Sequence, residues 1–458
     1  MRIVIAGAGK MGMAIARQLC REGHDLTLID QRQDKVDNAV NSLDVIGCRG
    51  SCAAPGTLTE AEVGLADLFI AATGTDEANL IACQFARRMG ARHVITLLRN
   101  PVYIENTELL KETMEMSFSI HPDYVTAEEI SRVLQFPAAI RVESFPDCRL
   151  EIVTFRIEDN SRLDGLPLRK LGERFGQKIL VCCVERGDKV QIPGGDFILL
   201  AGDRISVTGP HGALRRFFIS AGAYKKPVKN VILLGGSRSA VHLTRLLEST
   251  GVDVTIIEHD SDRCQALAEQ LKNTSIHCAD GTDTSVLQEN GIAHADGFVA
   301  LTGYDEDNII IGLYASKIGV GKVIAKVNNA KFVEILRDIS PDTTLSPQQL
   351  VAERISGYVR GLEHASEKST IEALYYLGDP RVTATEFVVG TKTACAGKAL
   401  KDLRLQIGVL LAAVIRRGKS YLPDGHTVLL PGDRVIVVTA NRTIVELDDI
   451  LSAAGKGA

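Results

Sequence analysis

Six residues near the amino end, Gly7-Ala8-Gly9-Lys10-Met11-Gly12, fit the spacing G-x-G-x-x-G. That spacing does chemistry only between a strand and a helix. There the first glycine permits a tight turn, the second lets backbone approach a pyrophosphate, and the third allows helix to pack on strand. The setting is present. RIVIA at 2–6 is a short β-branched run, the turn follows it directly, and Ile15 and Leu19 then share one face of a helical pattern ended by Gly23. Free N–H groups at the start of that helix would face phosphates. Asp30 ends the next strand, LTLID, where it would accept hydrogen bonds from both hydroxyls of an adenosine ribose. Its charge would repel a 2′-phosphate, which favours NAD or NADH over the phosphorylated cofactor.

Two further groups fall at the same sheet edge. Thr73-Gly74 follows the fourth strand, DLFIAA at 67–72, at the carboxyl end where ligands of open α/β sheets lie. Leu98 and Arg99 close the fifth strand, VITLL, so Arg99 either reaches a phosphate or is simply solvated. Asp76, Glu77 and Asn79 also suit the first turn of a helix, because acids favour the positive end of its dipole. The elements that must position all of these alternate strand and helix, which calls for a parallel sheet covered on both faces. The expected fold class is α/β, with a doubly wound, Rossmann-like domain.

The chain contains this plan twice. AATGTDEANL at 71–80 returns as ALTGYDEDNI at 300–309, half the chain length later, and LTLID returns as VTIIE at 254–258. Late in each half, IPGGDFILLAGDRISV at 192–207 matches LPDGHTVLLPGDRVIV at 422–437. Matches in one register point to a tandem duplication. In the second copy the turn reads Gly235-Gly236-Ser237-Arg238-Ser239-Ala240, with Ser in the middle glycine's place. A Cβ then occupies the point of closest approach to phosphate, although the hydroxyl could donate a hydrogen bond. Glu258 keeps the ribose acid one methylene longer, and Thr302-Gly303 repeat Thr73-Gly74. The second copy therefore reads as a weaker nucleotide site or one for a different nucleotide, and the sequence leaves its occupancy open.

Each half also holds a second, hairpin-rich part. ILVCCVER at 179–186 and VLLAAVIRR at 409–417 precede Pro193-Gly194-Gly195 and Pro423-Asp424-Gly425, followed by strands broken at Gly202-Asp203-Arg204 and Gly432-Asp433-Arg434. The expected domains are Rossmann-like at 1–122 and 228–346, hinge or crossover helices at 123–149 and 347–382, and small α+β domains at 150–222 and 383–458. Within the hinges, helical stretches are expected at about 123–135 and 347–363, introduced by Pro122 and Pro347, which suit the first helical position.

Composition narrows the function classes. With 458 residues, 45% of them hydrophobic, the chain is too long for one ordinary domain and can bury several cores. A formal net charge of -5 lacks the basic surplus of nucleic-acid binders, so no nucleic-acid partner is expected. No apolar run reaches the roughly 18–20 residues that span a bilayer, and the glycine turn falls where a signal peptide would be apolar, so a cytoplasmic protein is expected. Ten Cys are scattered without a zinc-type array, and the nearest pair, Cys48 and Cys52, is given no role by the sequence.

Two nucleotide domains, each followed by a small domain with P-x-G and G-D-R hairpins, resemble the TrkA family, the peripheral subunits of bacterial Trk potassium-uptake systems. Each half resembles the regulator-of-potassium-conductance (RCK) domains of potassium channels. The resemblance covers essentially the whole chain. It implies that Gly7 to Met11, Asp30, Thr73-Gly74 and the end of the fifth strand bind NAD(H), with ATP or ADP able to compete. It also implies a homo-oligomer, dimer or tetramer, on the cytoplasmic face of a membrane-embedded Trk-type potassium transporter subunit, whose transport it regulates. Ser51 departs from the family, which often has Asp in the loop after the third strand; the second copy keeps Asp280.

The rival reading is an NAD-dependent oxidoreductase, and a third is a nucleotide sensor with a partner unrelated to transport. A dehydrogenase usually needs an acid or base beside the nicotinamide. His24 and His93 precede their strands, at the wrong edge, which leaves His121 as the best candidate; it abuts Pro122 and has no obvious orienting partner.

Overall fold

The run RIVIA forms β1 (Arg2–Ala6), and the chain then alternates as the glycine turn requires. It continues through α1 (Lys10–Arg21), β2 (Asp25–Asp30), α2 (Gln33–Ser42), β3 (Ile46–Arg49), α3 (Pro55–Glu60) and β4 (Leu68–Ala71). After these come α4 (Asp76–Met89), β5 (His93–Leu97), α5 (Pro101–Glu105), α6 (Thr107–Met114) and β6 (Phe118–Ile120). All six strands are parallel, in the order β3-β2-β1-β4-β5-β6. Every residue of β4 is buried, as expected for a central strand covered on both faces. In this computed structural model the described residues are 1–136, 139–145, 150–159, 161–176, 178–222, 228–329, 332, 343–363, 369–377, 381–440, 444 and 446–452.

Helix α7 (Pro122–Gln135) leads to the first small domain: β7 (Ala139–Phe145), β8 (Leu150–Arg156), α8 (Leu171–Phe175), β9 (Leu180–Arg186), β10 (Lys189–Gln191), β11 (Arg204–Pro210) and α9 (His211–Ala221). The second Rossmann-like domain comprises β12 (Asn230–Leu234), α10 (Arg238–Glu248), β13 (Asp253–Glu258), α11 (Ser261–Gln270), β14 (Ser275–Cys278), α12 (Thr284–Glu289), β15 (Gly297–Ala300), α13 (Asp305–Lys317), β16 (Lys322–Lys326) and β17 (Thr343–Leu345). Its strand order, β14-β13-β12-β15-β16-β17, repeats the first. Helix α14 (Pro347–Glu363) precedes the second small domain: β18 (Ser369–Tyr376), β19 (Thr383–Val389), β20 (Val409–Arg416), β21 (Lys419–Tyr421) and β22 (Arg434–Thr439).

The helical stretches expected within the hinges form α7 and α14, which end at Gln135 and Glu363. Beyond them Ala139–Phe145 and Ser369–Tyr376 are edge strands, paired antiparallel with β8 and β19. Such pairing satisfies backbone groups that an irregular hinge would leave to solvent.

The chain forms two compact units, each built from both halves: Met1–Ser131 with Asn230–Ser356, and Arg132–Lys229 with Gly357–Ala458. In the first, α7 and α14 cross between copies. Tyr124 of α7 meets the His242 ring of α10 edge-on, Arg354 of α14 pairs with Glu128 of α7 at 3.3 Å, and the Ser356 hydroxyl donates to Glu22 at the end of α1. In the second unit, Ile152, Cys182 and Cys183 share one buried cluster with Ala412, Ala413, Ile415 and Ile436. A separate cluster, including Phe155, Phe175, Phe217 and Phe218, holds the first small domain together through edge-on aromatic contacts. Among the described residues no helix is long and apolar enough to cross a membrane.

Candidate functional site

The strand order reverses between β1 and β4, and a crevice outside their carboxyl ends follows from that topology. A cleft of about 510 Å3 opens there, a size typical of small-molecule sites. Gly7, Gly9, Lys10 and Met11 line it from the turn, and Asp30, Thr73, Gly74 and Arg99 line it from the ends of β2, β4 and β5. Ala8, Gly12 and Leu98 are buried beneath these and are not lining residues.

The three glycines differ in what they do. Gly7 has φ +105°, and a Cβ there would come within 2.7 Å of the Ala72 carbonyl oxygen. A Cβ on Gly12 would overlap the Gly7 carbonyl oxygen. Both glycines serve packing. Gly9 is extended, with φ −76°, and a Cβ on it would meet nothing within 4 Å, so its bareness leaves room in the cleft itself.

Asp30 holds this turn in place. Its carboxylate accepts from the Ala8 N–H at 2.8 Å and the Arg32 N–H at 3.0 Å, with the Lys35 ammonium 3.7 Å away. The side chain is only 11% exposed, so Asp30 is more structural than an exposed ligand residue would be. Asp76 and Asn79 are structural clamps. The Asp76 carboxylate accepts the Arg99 and Asn100 N–H groups at 2.8 and 2.6 Å. Asn79 accepts from the Thr73 N–H and hydroxyl, and donates to the Leu97 carbonyl at 2.9 Å. Together they tie the loop after β4 to the end of β5. Glu77 accepts from the Tyr103 hydroxyl at 2.9 Å; a backbone N–H at the start of α4 first, and this hydroxyl second, lower its pKa.

The second copy repeats these devices. Glu258 accepts the Gly236 N–H at 2.6 Å, as Asp30 does that of Ala8, and adds the N–H groups of His259 and Asp260. Gly235 keeps the positive φ of Gly7. Asn308 accepts from Thr302, next to Gly303, and donates to the Lys326 carbonyl; Asp305 accepts the Asn328 and Asn329 N–H groups. Ser237 caps α10 by accepting from the Ala240 N–H at 3.3 Å, while the Arg263 guanidinium donates to the Gly236 carbonyl at 2.6 Å. Asp280 accepts from the N–H and hydroxyl of Thr282, which lowers its pKa. The Ser51 hydroxyl accepts from the Ala53 N–H in the corresponding loop, so the two residues share a turn-forming role.

Arg238 and Ser239 face the first copy. The Arg238 guanidinium reaches the Arg99 carbonyl at 3.4 Å, and the Ser239 hydroxyl donates to Asp123 at 2.9 Å. Reciprocally, Gln348 of α14 lines the first-copy cleft. Sequence reasoning missed Gln348, together with Arg32, Lys35, Gly50 and Cys52, which also line it. Arg32 and Lys35 were legible as basic residues just after the ribose acid; Gln348 arrives from the other half of the chain. Cys52 is buried, and burial raises its thiol pKa. His121 immediately precedes α7 and is half-buried, with its pKa lowered first by burial, and no histidine is among the described residues lining the cleft.

The TrkA-N domain model matches residues 3–116 and 231–347, and the TrkA-C domain model matches 152–218 and 384–452. The chain belongs to the TrkA family. It is 30% identical over 451 residues to a Trk system potassium uptake protein TrkA homolog of Archaeoglobus fulgidus, covering 98% of this chain and 100% of that one. It is 28% identical over 450 residues to the Trk system potassium uptake protein TrkA of Haemophilus influenzae, covering 96% of each. Among solved structures it is similar in fold to a GsuK channel bound to NAD, with a TM-score of 0.63 at 18% identity over 96% of this chain and 76% of that one. The GsuK RCK domain gives a TM-score of 0.62, also at 18% identity, over 95% and 92%. The duplicated pairing of a parallel and an antiparallel sheet thus has the fold of the GsuK RCK domain.

Proposed function

We propose that the chain is the nucleotide-binding regulatory subunit of a Trk-type potassium-uptake transporter, acting at the cytoplasmic face of the membrane as a homo-oligomer. NAD(H) occupies the first-copy cleft, and ATP or ADP competes for it. The observation that carries the reading is the open turn at Gly9, set between Asp30 and the start of α1, in a chain whose relatives are named as potassium uptake proteins. Bare backbone at Gly9 admits a pyrophosphate, the first N–H groups of α1 face it, and the second lone pairs of the Asp30 oxygens accept ribose hydroxyls.

The cleft also suggests how binding becomes regulation. Its walls come from α1 and β2 of the first copy and from Gln348 of the second. A ligand touching both copies favours whichever arrangement of the two domains brings those walls together, and it shifts the equilibrium by its difference in affinity for the two states. Nucleotides of different charge or redox state then set different populations.

The test is potassium uptake by cells lacking this gene, complemented with the intact chain or with Gly9→Ala. Uptake should fall on deletion, return with the intact chain, and return only in part with the variant at equal protein level. Normal uptake after deletion, with no second copy of the gene in the cell, overturns the transporter assignment. Full rescue by a variant that no longer binds NADH overturns nucleotide control.

A further inference from the structure

The two glycine turns face different groups across the pairing of the Rossmann-like domains. The cleft onto which the start of α1 opens receives Gln348 from the other copy, its amide held by the Ser346 hydroxyl at 3.1 Å and by Asn328 at 3.3 Å. At the start of α10 the corresponding residue, also second in a helix opened by proline, is Asp123. Its carboxylate accepts from the Ser239 hydroxyl at 2.9 Å and lies 3.9 Å from the Arg238 guanidinium.

The surroundings match that difference. Ser239 and Arg238 stand where the first copy has Met11 and Lys10, and Lys326 stands where it has Leu97. The Lys326 ammonium donates to the Leu301 carbonyl; burial lowers its pKa, while the negative charges of Asp123 and Asp305 oppose that shift. Tyr124, beside Asp123, packs on His242, so the carboxylate is fixed by its own helix as well as by its partners. The second turn thus presents donors and cations, as an anion site would, and the anion seated there belongs to the chain. A diphosphate approaching the start of α10 meets a fixed like charge whose hydrogen bond it must replace.

We propose that Asp123 is an internal stand-in for phosphate at the second glycine turn, so that each chain binds one dinucleotide, in the first copy, rather than two. The inference rests on the first-copy cleft being the nucleotide site. It replaces the expectation that Gly235 to Ser239 and Glu258 bind a second nucleotide.

The experiment is calorimetric titration of the intact chain with NADH, and separately with ADP, alongside Asp123→Asn and Asp123→Gln. The expected stoichiometry is one nucleotide per intact chain and two per variant chain, with first-site affinity changed less than twofold. A Gly9→Ala, Asp123→Asn double variant should retain one site, the second. Two sites in the intact chain overturn the proposal, as does a single site in both Asp123 variants when they melt with the cooperativity of the intact chain. If neither variant folds, the intact stoichiometry alone decides: one supports the proposal and two overturns it. No binding by the intact chain would instead be a failure of the nucleotide-site reading beneath it.

Discussion

Gly9 and Gly12 carry one motif but answer to different forces, and alanine at each separates them. At Gly9 the backbone is extended and a Cβ meets no protein atom, so Gly9→Ala should leave the melting temperature within about 1 °C and weaken NADH binding by roughly tenfold or more, because the methyl displaces the pyrophosphate. At Gly12 the Cβ would overlap the Gly7 carbonyl, so Gly12→Ala should cost about 1–3 kcal/mol of stability through overpacking. Calorimetry beside thermal melts checks both, and a destabilised Gly9→Ala would count against the assigned geometry. Asp30 falls between the two. Asp30→Ala should weaken NADH binding, and it should also cost about 1–3 kcal/mol, since two backbone N–H groups lose their acceptor in a nearly buried place. The motif was legible because its spacing is local, running from β1 through the turn to the end of β2. The anchoring role of Asp30 was not, since the spacing says nothing of which way the carboxylate turns. Arg32 and Lys35 bear on cofactor choice as well. They line the same cleft, and two cations there would attract a 2′-phosphate, against the repulsion expected from Asp30.

At the scale of elements, the G-D-R hairpins show what a repeated motif conveys without its partners. Asp203 is 1% exposed and accepts two bonds from the Arg186 guanidinium, both at 2.7 Å, and one from the Leu200 N–H at 2.9 Å. Arg186 also donates to the Ile198 carbonyl. Asp433 and Arg416 repeat this clamp, with Leu430 and Val428 supplying the backbone groups. The paired arginine ends the strand before the hairpin and is not the arginine next to the aspartate, a long-range choice that no local pattern reveals. The clamp closes the loop that joins β10 to β11, or β21 to β22. Asp433→Ala should therefore cost about 2–3 kcal/mol, because a charged, bidentate partner and a backbone acceptor are lost together. Urea titration followed by circular dichroism would read this as a lower midpoint, and an unchanged midpoint would mean that the loop re-forms without its clamp. The strands β7 and β18 were hidden for a related reason: each is an edge strand directly after a helix, so the segment reads as a continuation of the hinge. The central strands β1, β2, β4 and β5, by contrast, were legible, because a parallel sheet buried on both faces leaves apolar runs; β3 and β14, short and largely exposed, leave none.

At the scale of the whole molecule, duplication has produced pairing by kind. Each compact unit takes one part from each half, so neither half owns a complete set of contacts. The buried cluster that joins β8 and β9 to β20 and β22 makes the consequence definite. Cut between the halves, residues 1–229 would leave Ile152, Cys182 and Cys183 on an open sheet face, with α7 bare of α10 and α14. Each large apolar side chain so exposed forfeits about 1.5–3 kcal/mol. The missing half has the same strand order as the one retained, so a second copy of residues 1–229 offers the nearest available substitute. The substitute is imperfect at the helices: Asp123 would face Met11 and Lys10 of its twin, without the Ser239 hydroxyl that now donates to it. The half chain should therefore form a dimer that dissociates over the micromolar range, and residues 230–458 added in equal amount should replace it with a tighter one-to-one complex. Sedimentation equilibrium over a hundredfold range of concentration distinguishes these states. A half chain that stays monomeric while keeping its native circular dichroism would show that the sheet face buried between copies contributes little to holding each unit together.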